Sequence, residues 1–216
     1  MPETPSSSVL TPPGGVVNAG LTARLRQAIA ADHLAIEALP LSQALVDGTV
    51  RLEGYLDLLH DLAPLHAAIE ARVDGDGVLK EIFEGPLIRR HAALAADLVW
   101  WDAVHAPPSA TADRLAAWVT GCSAGEAVGA CYVVAGSCLG AAVLAPGLAK
   151  AFHVTCGVGT GLDYQFIPPP ILGAAWRQVK ERLAAWGATH ERADAARDGA
   201  RAMMRGLCTV YAGRAP

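Results

Sequence analysis

From Ala127 to Ala149 the chain runs for 23 residues without a charged side chain, bounded by Glu126 and Lys150. A helix of that length reaches about 35 Å at ~1.5 Å per residue, enough to cross a bilayer. The segment must therefore be a membrane span or a helix enclosed by other helices. Gly136 and Gly140 stand four apart within it, the spacing by which membrane helices pair. Against insertion, the stretch is mostly Ala, Gly, Ser and Cys with only seven Val or Leu, and it contains Pro146-Gly147, so transfer into lipid is barely favourable. No stable membrane insertion is expected, and an enclosing bundle is.

The remaining sequence supplies the helices such a bundle needs. Of the 216 residues 52% are hydrophobic and 18% charged, which excludes disorder over most of the length. Helical spacing of apolar residues predicts segments over Thr22–Leu39, ended by Pro40, over Arg51–Val73, and over Val78–Phe83. Further segments follow from Pro86 to about Val104 and over Thr111–Cys122, then Ile171–Gly187 and Ala188–Tyr211 beyond the uncharged stretch. No Asn-Gly hairpin joins alternating runs. The fold class is all-α, a bundle of about seven to nine helices in one domain over residues 19–213. Residues 1–18 read as a flexible arm with no basic n-region and no apolar h-region, hence not a secretory signal. Residues 153–170, rich in Gly and Pro, form a loop long enough to cover a site.

A net charge of -4 offers no basic field for nucleic acid. The five cysteines are odd in number and lack a C-x-x-C, so they read as reduced core thiols and the expected location is the cytoplasm. Among seven histidines none forms H-E-x-x-H, and the paired Glu-x-x-His motifs of a di-metal bundle are absent. His33 differs in position. It falls at the edge of the stripe made by Leu25, Ile29 and Ile36, so its imidazole is expected to point inward. Glu37, one turn on, can accept the Nδ1 proton, fix the tautomer and leave Nε2 as a ligand or base. Arg26 lies two turns back on the same face. The same spacing also describes a partly buried histidine in an ordinary helix-face ion pair. Gly129, Gly136 and Gly140 each cost about 0.5 to 1 kcal/mol against Ala inside a helix, so they call for close approach of another backbone or of a flat ligand.

Leu25-Arg26, His33 and Glu37, taken with the run Tyr132-Val133-Val134-Ala135-Gly136-Ser137-Cys138-Leu139-Gly140-Ala141, resemble the bacterial, biliverdin-producing branch of the heme oxygenase family. The order of the two blocks and their separation of about a hundred residues fit that family from roughly Leu21 to Tyr211. The resemblance implies that His33 is the proximal ligand of the heme iron. It implies that the helix carrying Gly136, Ser137 and Gly140 bends over the distal face, where O2 is steered toward a meso carbon. Glu37, Tyr132 and Ala141 would then line the site, Arg26 would pair with a propionate, and Arg177 or Lys180 would hold the other. The chain departs from the family at Ala141, where a second Gly is common, at Ile29, where Thr is common, and in the 153–170 loop; Ser137 follows the bacterial pattern, whereas animal members carry an aspartate there.

The implied activity is O2-dependent cleavage of heme, as both substrate and cofactor, to biliverdin, CO and ferrous iron. Electrons would come from an external reductase or ferredoxin-type donor, because no G-x-G-x-x-G follows a strand. Two other readings remain open at this point: a heme-binding protein on the same fold that does not oxidise the ring, and a helical small-molecule module in which His33 is structural.

Overall fold

The structure is a computed structural model that describes residues 20–187 and 190–216. The predicted arm over residues 1–18 lies outside them. The described residues form nine α-helices and no strand: α1 (Leu21–Glu37), α2 (Pro40–Asp47), α3 (Leu52–Gly75), α4 (Gly77–Phe83), α5 (His91–Trp100), α6 (Ala110–Gly121), α7 (Ala124–Ala151), α8 (Pro169–Trp186) and α9 (His190–Ala212).

The uncharged stretch is α7, and its start is fixed by chemistry. Ser123 Oγ accepts from the Glu126 N–H at 3.3 Å, while the Glu126 carboxylate accepts from the Ser123 N–H at 2.9 Å. This reciprocal cap satisfies two donors that a helix start otherwise leaves unpaired. By length and composition α7 could cross a membrane. Its first half, however, is enclosed by protein: every residue from Ala127 to Ala135 is buried. The glycines explain how α9 comes so close. A Cβ on Gly129 would fall inside the Ala196 carbonyl, one on Gly199 inside the Glu126 carbonyl, and one on Gly125 would lie 2.6 Å from Ala195 Cβ. Two backbones meet there with no side chain between them.

α1 packs along the same helix. Arg24 pairs with Asp194 at 3.2 Å, Arg201 Nε donates to the Ala28 carbonyl at 3.2 Å, and Cys208 Sγ lies 3.3 Å from the Asp32 carbonyl. These contacts step forward together, so α1 and α9 run in the same direction. The contacts of α7 with α9 step in the same sense. α9 thus carries α1 and α7 side by side, and the two make almost no contact with each other.

Several boundaries differ from expectation. Pro40 does not simply end a helix: it opens α2 as its first residue, where a missing N–H costs nothing, and Gly48 at φ 64° closes it. Pro86 does not start a long helix to Val104, because α5 covers only His91–Trp100. Asp76 caps α4 by accepting from the Val78 and Leu79 N–H groups, so α3 and α4 meet at a single junction residue. The core-thiol reading holds for Cys122, Cys131 and Cys138, while Cys208 is half-buried and Cys156 is exposed.

Candidate functional site

His33 stands on α1 with its side chain 53% exposed, which corrects the inward direction expected from the helix stripe. Leu25 and Ile29 occupy the buried line, and His33 lies just past its edge, facing out. The expected partner is in place: Nδ1 lies 3.3 Å from the Glu37 carboxylate. That contact orients the imidazole through Nδ1 and leaves Nε2 without a hydrogen bond to any described residue, the arrangement a metal-ligating histidine needs. His60 and His66, by contrast, are buried. Burial pushes the His66 imidazole down to about 3.

The three α7 glycines singled out in the sequence, Gly129, Gly136 and Gly140, separate into two kinds. Gly129 is pressed against α9, as described. A Cβ on Gly140 would meet nothing within 4 Å, and one on Gly136 would meet only the ring edge of Trp176, at 3.7 Å. Both glycines are on one side of the helix, and on that side Leu139 and Val143 are exposed, Val143 by 75%. α7 therefore presents an apolar strip to open space after Ala135. A helix glycine with no neighbour is destabilising with no packing gain in return. Ser137 is exposed beside this strip, its hydroxyl donating back to the Val134 carbonyl at 2.7 Å, and Ala141 is half-buried.

Tyr132, one turn before Gly136, is buried against Trp176 of α8, with ring centroids 5.7 Å apart. Burial raises its phenol pKa, and the Arg26 guanidinium opposes that rise, which places the α1 cation near the α7 tyrosine. Arg26, Arg177 and Lys180 are all exposed, and none makes an ion pair or side-chain hydrogen bond with a described residue. Of the three, only Arg26 acts electrostatically on the buried tyrosine. A shallow hollow of about 290 Å³ between α6 and α9, lined by Leu115, Trp118 and Gly206, holds none of the predicted site residues.

A second polar cluster escaped the sequence reading. The Arg90 side chain donates to the Asp163 carbonyl at 2.6 Å and also to that of Tyr164, while Asp97 accepts from the N–H groups of the same two residues at 2.7 and 2.9 Å. His66 Nε2 lies 2.8 Å from the Tyr164 hydroxyl. These bonds fasten the 153–168 loop onto α3 and α5. Only a carboxylate and a guanidinium inside apolar helical stretches hinted at it.

The model of the heme oxygenase family fits residues 19–206. The chain belongs to the heme oxygenase family. As a member it is a heme-degrading oxidoreductase whose substrate is heme. Its fold resembles that of heme oxygenase from Leptospira interrogans, with 17% identity and a TM-score of 0.80, covering 90% of this chain and 99% of that one. It also resembles heme oxygenase-1 from Synechocystis in complex with heme, at 18% identity and TM-score 0.77, covering 89% and 90% of the two chains. The NO- and CO-bound heme oxygenase of Neisseria meningitidis shares 21% identity at TM-score 0.69, over 92% and 97%. A search of curated proteins finds no significant match.

Proposed function

We propose that heme lies between α1 and the open strip of α7, with iron on His33 and the distal face under Gly136 and Gly140, and that it is cleaved there to biliverdin, CO and ferrous iron. One observation carries this reading: in α7, Gly140 faces open space and Gly136 meets only a tryptophan ring edge, whereas Gly129 is tightly packed against α9. Register supports it. α1 and α7 run alongside one another on α9, and Arg26 lies near Tyr132. Carrying that offset two turns onward brings His33 level with the Gly136–Gly140 segment. Glu37 orients the imidazole and makes it a better donor to iron. Arg26, Arg177 and Lys180 supply charge-assisted partners for the two propionates.

Bound heme supplies the iron that activates O2 and the ring that is opened. Gly136 and Gly140 let the helix backbone approach the ring closely while leaving room for a diatomic ligand. Leu139 and Val143 keep bulk water off the distal face. No acidic side chain stands on the strip, and the Ser137 hydroxyl is occupied by its own helix, so neither delivers a proton directly. Electrons come from an external reductase or ferredoxin-type donor. Enclosure of the first half of α7 supports a core helix over a membrane span, and the odd number of cysteines without a C-x-x-C supports the cytoplasm as the enzyme's location.

The test is the absorption spectrum of ferric heme added to the wild type and to His33→Ala. Loss of the histidine-ligated spectrum in the variant, restored by added imidazole, is the expected result. An identical spectrum in both proteins would overturn the assignment.

A further inference from the structure

The open strip of α7 is not uniform along its length. At Gly136 the ring of Trp176 comes within 3.7 Å of where a Cβ would stand, whereas at Gly140, one turn on, nothing lies within 4 Å. Trp176 is held firmly. Its ring rests against buried Tyr132, and its backbone lies between Leu172 and Val179, whose side chains anchor α8 in the core. Arg177, the next residue, is exposed and unpaired. One end of the strip is therefore walled by an aromatic ring, and the other is apolar and open.

We propose that Trp176 is a specificity-determining residue, a lateral wall that fixes how heme is turned within its plane and hence which meso carbon lies under the open Gly140 end. The inference rests on the heme placement proposed above. A porphyrin is nearly fourfold symmetric in its core, so close contact with the α7 backbone alone does not choose among its edges. A rigid ring at one end does choose, because substituents must pass it or stop against it, and packed surroundings resist displacement. The chemistry of ring opening is unchanged by this residue; what changes is the carbon presented to it.

The experiment compares wild type with Trp176→Phe, Trp176→Leu and Trp176→Ala, each loaded with ferric heme and cyanide, and reads the hyperfine-shifted heme methyl resonances by NMR. Those resonances report in-plane seating without turnover. Wild type and Trp176→Phe are expected to give one dominant set, and Trp176→Leu and Trp176→Ala a second set of comparable intensity. Product isomers after reduction in air should follow, with a ratio changed by about tenfold, equivalent to ~1.4 kcal/mol, in the two variants lacking a ring. Leu keeps the site apolar should Ala compromise folding. A single unchanged set in both ringless variants, or two equal sets already in the wild type, overturns the role of Trp176. Heme that binds with no dependence on His33 would instead overturn the placement on which the proposal rests.

Discussion

Replacing each of two α7 glycines by alanine in the ligand-free protein should move stability in opposite directions. At Gly140 an added Cβ meets nothing within 4 Å. The substitution then acts through the helix alone, where Ala is favoured over Gly by about 1 kcal/mol. For a chain of this size that corresponds to a rise in Tm of roughly 2 to 4 °C. At Gly129 the new Cβ would overlap the Ala196 carbonyl and crowd the Ala200 amide. Backbone cannot swing aside as a side chain can, so α7 and α9 must separate, at a cost of roughly 1 to 3 kcal/mol or more that outweighs the gain in propensity. Tm should fall by several degrees. Adding heme cancels the gain at Gly140, since the methyl group now stands where the ring approaches, and affinity should drop about fivefold, or ~1 kcal/mol. Thermal unfolding followed by circular dichroism, with and without ferric heme, measures all four quantities. A ligand-free Gly140→Ala protein less stable than the wild type would refute the reasoning, because it would mean that protein packs where the strip is taken to be open.

Arg26→Ala should weaken heme binding while leaving the ligand-free melt within about 0.5 kcal/mol of wild type, since the exposed guanidinium makes no ion pair or side-chain hydrogen bond with a described residue; equal affinity by heme titration would remove it from the site. His66 is held neutral by burial, with Arg90 and His91 nearby, its pKa pushed down to about 3, so its folded value lies below the ordinary histidine value of about 6.5. Stability from this group is present above pH 6.5 and is lost as pH falls toward 3, by up to ~1.4 kcal/mol per pH unit. His66→Gln should flatten urea-unfolding stability over that range, and an unchanged slope would count against the buried neutral imidazole.

Much of this arrangement was legible in the chain because it rests on periodicity and on residues whose presence in a helix carries a cost. Apolar spacing located most of the helices, though not α2 and not the start of α5, and the uncharged run required partners on most sides of α7. Glycine content marked that helix as special, yet sequence could not separate Gly129, which serves packing, from Gly136 and Gly140, which serve an open face. Only the position of α9 makes that distinction. The direction of His33 was misjudged for a related reason. A stripe of apolar residues gives the mean direction of burial, while His33 sits about 80° from Leu25, where a small rotation of α1 turns a side chain from core to cleft. Trp176 and the Arg90–Asp97 anchor of the 153–168 loop were missed because they depend on long-range contacts, across 44 residues between Tyr132 and Trp176 and 73 between Arg90 and Asp163, that leave no local pattern.

The most direct test of the central claim follows the absorption spectrum of the full chain after one equivalent of ferric heme is added and a reductant is then supplied in air. The account predicts a Soret band that depends on His33, followed by its decay and the growth of a biliverdin band with release of CO and chelatable ferrous iron. A Soret band that persists unchanged under reductant and O2 would contradict the claim that this cleft cleaves the heme it binds.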